Sequence, residues 1–297
     1  MVQHIRFATI LLLVSFCSAA YANADRITLK KGMASKKLSV KTFFGSKKFH
    51  HNLTFRITNN TQKELSVDVD PGLIFVPDDT TCQNMVTLGS EKVVLAPGAT
   101  EELVVNNFCG KSYARCPTPN MNFTFWKQGD TSMIKTLSFA RTENINFDLI
   151  QHAVWMFTNG HCLSSVYSTY NPAQSEKFVN YIAKLKHKAI PESFSLLTCS
   201  FEPGQPVIRE SGNRIVVPAS WPNEGYRHMY VTVYKANGEV YKKINADWVT
   251  DKKGTTVLVE FNAKKDLSGT YRIEARDNNN KIWFDKRLLI DFENNCM

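Results

Sequence analysis

The sequence predicts a mainly β protein with two Ig-like antiparallel β-sandwiches, separated by a short helical segment. Three observations support this fold class. Short strands that alternate apolar and polar residues recur in the first half, a helical period of apolar residues follows, and the strand pattern then returns. We therefore divide the chain into an N-terminal sandwich at 23–145, a helical segment at 146–198 and a C-terminal sandwich at 199–297, all preceded by a signal peptide at 1–22.

The first residues have the three parts of a secretory signal peptide. His4 and Arg6 lie in a short polar region, and an apolar run follows over 8–17. Ala20-Tyr21-Ala22 then supplies small residues where signal peptidase cleaves, so we expect cleavage after Ala22. The apolar run is too short to span a bilayer, although an uncleaved anchor is the alternative. We expect export through the Sec pathway and a secreted or cell-surface location, with no transmembrane span.

The strands of the first sandwich are short and end in turns. Asn59-Asn60-Thr61, Pro71-Gly72 and Ala96-Pro97-Gly98 carry the residues that turns favour. The predicted strands cover residues 52–58, 65–70, 92–95, 102–105, 121–126 and 134–139.

Two helices are predicted in the middle segment. Asn146 can cap a helix that runs to Thr158, and Gly160 is suited to the C-terminal stop. A second helix starts at Asn171-Pro172 and is predicted to end at Pro191. His152 and His161 flank the first helix, and we interpret both as loop or surface histidines.

The second sandwich contains the strongest hairpin signal of the chain, Asn237-Gly238. Its predicted strands cover residues 207–208, 214–217, 230–234, 257–261, 271–275 and 282–284.

Composition sets limits on function. Hydrophobic residues make up 43% of the chain, enough for a real core, and the net charge is +9 from 36 Lys+Arg and 27 Asp+Glu. The basic residues are scattered, which is typical of a solvated surface with mild attraction to anionic partners. The sequence lacks nucleic-acid, metal and cofactor motifs and has no complete catalytic motif. We therefore predict a non-enzymatic protein with neither metal nor cofactor and with no nucleic-acid partner.

Cysteine usage fits an oxidising compartment. The chain has seven cysteines, and loss of Cys17 with the signal peptide leaves six. An even number allows up to three disulfides, but the sequence does not choose among the possible connectivities. We favour Cys162 with Cys199, because these two bracket one helical segment. The disulfide candidates are Cys82, Cys109, Cys116, Cys162, Cys199 and Cys296.

The C-terminal module carries a recognisable pattern. One hairpin contains Val231-Thr232-Val233-Tyr234, Gly238 and Val240, and a later strand contains Leu267-Ser268-Gly269-Thr270-Tyr271. This pattern resembles the sorting tails of type IX secretion cargo in Bacteroidota, which implies a small β-sandwich and export to the cell surface. Such tails usually stop at a lysine-rich end, whereas this chain continues to Met297, so a plain Ig-like module is the alternative.

A second pattern lies in the first predicted helix. Ile150-Gln151-His152-Ala153-Val154-Trp155 is similar to the Φ-Q-x-A-[IV]-W helix of thioester domains in bacterial surface adhesins. The resemblance implies that the Gln151 side chain condenses with a cysteine thiol, and that the product traps an amine of a partner covalently. The candidate thiol is Cys109, within Asn107-Phe108-Cys109-Gly110. Alternatively, Gln151 hydrogen-bonds locally, Trp155 belongs to the core and Cys109 forms a disulfide.

Three functional hypotheses follow. The first is a secreted or cell-surface non-enzymatic protein with a structural, adhesive or binding role, whose partner is a protein or polysaccharide at a cell surface. The second is a covalent adhesin that uses Cys109 and Gln151. The third is a secreted hydrolase with a site assembled from residues distant in sequence, which predicts a cleft with perturbed acidic residues or histidines.

Overall fold

The computed structural model describes residues 24–45, 53–222, 228–247 and 255–293. Strands outnumber helices in these ranges, so the prediction of a mainly β protein is confirmed. The Ig-like topology and the division into two sandwich domains stay predictions. The predicted signal peptide at 1–22 and Cys296 lie outside the described residues.

The N-terminal half contains two sheets. The first has the order β1-β4-β7, and it departs from the antiparallel expectation because β1 pairs with β4 in parallel. The second has seven strands in the order β8-β3-β2-β10-β5-β6-β9. The strands are β1 (Asp25–Thr28), β2 (Leu38–Phe44), β3 (Leu53–Asn59), β4 (Leu65–Asp68), β5 (Leu73–Pro77), β6 (Met85–Thr87), β7 (Lys92–Leu95), β8 (Thr100–Val105), β9 (Asn107–Cys109) and β10 (Asn122–Gln128).

A single hydrophobic cluster joins these two sheets. Val67 of β4 and Leu95 of β7 belong to the same buried cluster as Phe55 of β3 and Phe75 of β5. The Phe55 and Phe75 ring centroids lie 5.0 Å apart in a tilted arrangement. Burying one such ring contributes about 1.5–3 kcal/mol relative to leaving it exposed.

The C-terminal half is built in the same way. One sheet has the order β11-β12-β15 and the other the order β14-β13-β16-β17. Buried residues of both sheets form one cluster, so the sheets pack face to face. The hairpin predicted at Asn237-Gly238 is confirmed, because it joins β13 to β14 and Gly238 has a φ of 86°. The strands are β11 (Phe194–Cys199), β12 (Ile208–Trp221), β13 (His228–Lys235), β14 (Val240–Asp247), β15 (Thr255–Asn262), β16 (Gly269–Asp277) and β17 (Ile282–Ile290).

Three of the described helices form a layer between the two halves. Their apolar faces share one buried cluster with Val86 and Phe108 of the seven-stranded sheet and with Phe194 and Val216 of the C-terminal half. The helices are α1 (Leu29–Ala34), α2 (Thr131–Thr142), α3 (Phe147–Thr158) and α4 (Pro172–Lys186), with a 3-10 turn at Leu163–Ser165. Helices α2, α3 and α4 form the layer, whereas α1 instead contributes Leu29 to the core of the N-terminal half. Within the described residues, every helix is too short or too polar to cross a bilayer.

The predicted boundaries of the two middle helices are largely confirmed. Asn146 caps α3, with its side-chain oxygen accepting from the backbone N–H of Asp148 at 2.9 Å. Asn171 caps α4 through the N–H of Gln174 at 3.1 Å. The predicted end at Pro191 is wrong. The helix stops at His187, which adopts a left-handed conformation with a φ of 52°.

The prediction of a strand at 134–139 is wrong, because these residues belong to α2. A six-residue stretch with alternating polarity also fits part of a helical period. The longer pattern settles the structure, because the buried residues of this helix follow the helical spacing i, i+3, i+4 and i+7. They are Met133, Thr136, Leu137 and Ala140. The described part of the predicted N-terminal sandwich also contains α1, where no helix was predicted.

Asp130 is expected to stabilise α2 as its N-cap. Its Oδ1 accepts a hydrogen bond from the Met133 N–H at 2.7 Å. We expect Asp130→Ala to lower the free energy of unfolding by about 1 kcal/mol, since the N–H loses its partner. Denaturant unfolding measures this change, and Thr131→Ala at the exposed next position is the control. An equal effect of both substitutions would contradict the capping role.

Candidate functional site

Gln151 and Cys109 lie against each other in the interior of the protein. Gln151 Oε1 accepts a hydrogen bond from the Cys109 N–H at 2.8 Å. Gln151 Nε2 donates to the Cys109 carbonyl oxygen, also at 2.8 Å. The exposed fraction is 1% for Gln151 and 8% for Cys109. The two residues that the thioester-domain resemblance singled out are therefore in direct contact, although 42 positions separate them in the chain.

The sheet edge explains why this contact forms. Cys109 ends β9, the outermost strand of its sheet, where it pairs with Met85 of β6 on one side. On the outer side no further strand of the described chain follows, so the Cys109 N–H and C=O need other partners. Helix α3 packs there and presents Gln151, whose amide supplies one acceptor and one donor.

The side-chain amide of Asn159, which follows the last residue of α3, holds the segment after β9 at a second point. Asn159 Oδ1 accepts from the Ser112 N–H at 2.6 Å, and Asn159 Nδ2 donates to the Gly110 carbonyl at 3.3 Å. Gln151 and Asn159 together align the segment after β9 along the helix. The geometry of the site therefore depends on amide contacts at two points, a buried one at Gln151 and a more exposed one at Asn159.

One part of the alternative interpretation is correct and another is not. Trp155 is a core residue with no exposed surface, as that interpretation holds. The hydrogen bonds of Gln151 are not local, however, because they reach a strand in another part of the chain.

Burial determines the state of the Cys109 thiol. The protein interior disfavours the thiolate and raises the pKa of Cys109 well above its ordinary value, and the neighbouring Cys116 and Cys199 thiols act in the same direction. Cys109 therefore carries its proton at neutral pH and does not resemble the activated thiolate of a cysteine hydrolase.

The predicted disulfide between Cys162 and Cys199 is wrong. Cys199 is a free thiol, whereas Cys162 is engaged in a disulfide. Cys199 ends β11 and pairs with Ile208 of β12, which directs it to the hydrophobic cluster that contains Cys109. Cys162 precedes the 3-10 turn at Leu163–Ser165 on a different segment. The other free thiols among the described cysteines are Cys82, Cys109 and Cys116.

A cavity opens beside Gln151. It has a volume of about 310 Å³, and its walls include Gln151, His152, Tyr167, Cys199 and Phe201. On the other side, Gln151 and Phe201 also border a void of about 10 Å³ that Cys109 lines. Gln151 thus borders both the cavity and the void that Cys109 lines.

His152 is the residue of this site that sequence reasoning missed. The interpretation as a loop or surface histidine is wrong for His152, which lies within α3 and is 8% exposed. His161 lies in a loop, as predicted, but it is not a surface residue, because its exposed fraction is 5%. Burial lowers the pKa of His152 to about 4, against smaller opposing effects of the Ser165 carbonyl and Asp148. The signal in the sequence is that His152 lies within a helix that is apolar on nearly all sides.

The described residues contain no cluster of three or more His, Cys, Asp or Glu side chains that could hold a metal ion. The reactive groups of this site are the Cys109 thiol, the Gln151 amide and the His152 imidazole. Comparison of the chain with protein-family models, with curated proteins and with solved structures finds no match.

Proposed function

We propose that the protein is an exported, non-enzymatic adhesin that binds its partner covalently through a thioester between Cys109 and Gln151. The observation that carries this proposal is the pair of hydrogen bonds between the Gln151 carboxamide and the Cys109 backbone. The Sγ atom branches from the Cα that lies between these two backbone groups. The two residues also line the same small void, and their fixed placement lowers the entropic cost of a reaction between them.

The reaction is a transfer of one acyl group. Cys109 Sγ attacks the Gln151 Cδ, and the Cδ–Nε2 bond breaks. The nitrogen leaves as ammonia and carries the thiol proton with it. The product joins Sγ to Cδ and keeps the former amide oxygen as the thioester carbonyl.

Burial suits such a bond. A thioester hydrolyses when water reaches its carbonyl, and exclusion of water from a site prevents such side reactions. Gln151 and Cys109 are both buried. Gln151 borders the 310 Å³ cavity, and a partner group that enters this cavity can approach the Gln151 side chain.

The proposed role is stoichiometric binding. A primary amine of the partner attacks Cδ, the C–S bond breaks, and an amide joins the partner to Gln151 while Cys109 recovers its thiol. Each molecule reacts once, so the protein is an adhesin and not an enzyme. Lysine amines make a protein at a cell surface the favoured partner.

Intact mass of the purified, non-reduced protein tests the proposal. We expect a mass lower by one ammonia than the sequence and its disulfides give, and we expect methylamine to add its full mass. Gln151→Glu and Cys109→Ser should each abolish the deficit. Cys116→Ser removes another buried thiol close by and should leave the deficit unchanged. A wild-type protein that has its full mass and takes up no methylamine would contradict the proposal of a covalent adhesin.

A further inference from the structure

One ring nitrogen of His152 has no assigned role in the fold. His152 Nδ1 lies 2.9 Å from the Ser165 carbonyl oxygen. A carbonyl only accepts hydrogen bonds, so Nδ1 carries the proton and Nε2 presents its lone pair. Nε2 has no hydrogen-bond partner within the described ranges. The imidazole is thus held as a neutral base with one open position.

The ring is held in place at the reaction site. His152 follows Gln151 in the chain, and both line the 310 Å³ cavity. The Trp155 ring stacks on the imidazole with centroids 5.7 Å apart and an interplanar angle of 19°. The hydrogen bond from Nδ1 and this stacking limit the rotation of the ring. A group that approaches the Gln151 carbon through the cavity therefore meets a fixed imidazole.

The proposed reaction needs such a group. An amine that attacks a carbonyl carbon must lose a proton before a stable amide forms. The sulfur that leaves must gain one, because the interior disfavours a free thiolate at Cys109. A base that lines the same cavity as Gln151 can serve both needs, and general acid–base catalysis of this kind contributes about 10²–10⁴-fold in rate.

We infer that His152 accepts the proton of the attacking amine through Nε2 and delivers it to the sulfur of Cys109, and that the cavity admits a primary amine on a flexible chain. This inference rests on the proposed thioester. The amine nitrogen bonds to Gln151 Cδ, the Cδ–Sγ bond breaks, and the proton passes from nitrogen to Nε2 and then to Sγ. Atoms and charges balance without a further reactant.

The charges around the cavity favour a cationic chain. Arg214 lines the cavity but is paired with Glu260, at 2.7 and 2.8 Å. Asp148 also lines the cavity, is exposed and makes no ion pair with any other described residue. An unpaired carboxylate at the mouth attracts a lysine side chain before its amine loses a proton.

His152→Asn tests the role of Nε2. The asparagine amide can still donate to the Ser165 carbonyl from near the Nδ1 position, but it offers no acceptor near Nε2. We expect the variant to form the thioester, which the mass deficit of one ammonia would show. We expect methylamine to open this thioester about 10²–10⁴-fold more slowly than in the wild type. A small thiolate brings no proton that Nε2 could accept and pass on, so the rate with mercaptoethanol does not depend on His152 and should not change.

The matched control is His161→Gln. His161 is also buried and contacts the same Trp155, but its Nε2 lies 2.9 Å from Ser112 Oγ, a bond that glutamine can keep. We expect wild-type rates with both nucleophiles. If His152→Asn slows the amine and thiolate reactions equally, the ring has only a structural role, and the inference is overturned. Unchanged amine opening, with the deficit present, would overturn it and leave the thioester intact. A wild type without the deficit would overturn both.

Discussion

Loss of the Gln151 side chain is expected to lower the free energy of unfolding by about 2–6 kcal/mol. The Cys109 N–H and C=O would then be buried at a sheet edge without partners. Each unsatisfied buried group costs about 1–3 kcal/mol. The comparison is best made in a Cys109→Ala background, because alanine keeps both backbone hydrogen bonds and cannot form a thioester. Denaturant unfolding of Cys109→Ala and of Cys109→Ala with Gln151→Ala gives the difference.

Gln151→Glu in the same background is the control for this effect. A carboxylate still accepts from the Cys109 N–H but cannot donate to the carbonyl, so we expect an intermediate loss of stability at neutral pH. A protonated carboxyl group can donate to the Cys109 carbonyl. The difference in the free energy of unfolding between the Gln151→Glu protein and the protein that keeps Gln151 should therefore become smaller as the pH falls. A loss below about 1 kcal/mol for Gln151→Ala would mean that these two hydrogen bonds do not form in solution.

The elements that the sequence predicted well are those with a local cause. Asn146 precedes a long helical period, and Gly238 readily adopts the positive φ that the hairpin turn uses. The strand predicted at 134–139 failed because six residues are too few to separate a period of two from one of 3.6. The cap at Asp130, just before this stretch, carried the missing information.

The candidate site was predicted only in part, because its geometry is set by distant contacts. The resemblance named Gln151 and Cys109, but their contact depends on β9 being an edge strand, which one sequence does not reveal. The state of Cys199 depends on the irregular pairing of β11 with β12, whose register shifts near Thr198. The burial of His152 follows from the layer in which α3 lies, since this helix is covered on nearly every side.

His152 should also make stability depend on pH. Burial lowers its pKa from 6.5 to about 4, while the facing Asp148 carboxylate and Ser165 carbonyl oppose this shift and His161 adds to it. Above pH 6.5 the ring is neutral in both states and has no effect on this dependence. As the pH falls from 6.5 to 4, the unfolded chain takes up a proton that the folded protein does not bind. The folded state should therefore lose about 3 kcal/mol over this window, at 1.36 kcal/mol per pKa unit.

The free energy of unfolding of wild type and His152→Asn, measured between pH 7.5 and 4, isolates this effect. Asparagine does not titrate, so the loss of stability should be smaller in the variant by about 3 kcal/mol. Carboxylates such as Glu274, whose pKa is lowered chiefly by its hydrogen bond with Arg276, also lose stabilising interactions in acid, but they do so equally in both proteins. His161 contributes in the same direction as His152, since burial lowers its pKa too, and it remains in the variant. Parallel curves for the two proteins would show that His152 takes up its proton at the same pH in the folded and unfolded states, and such a ring would be open to water and not buried as the structure has it.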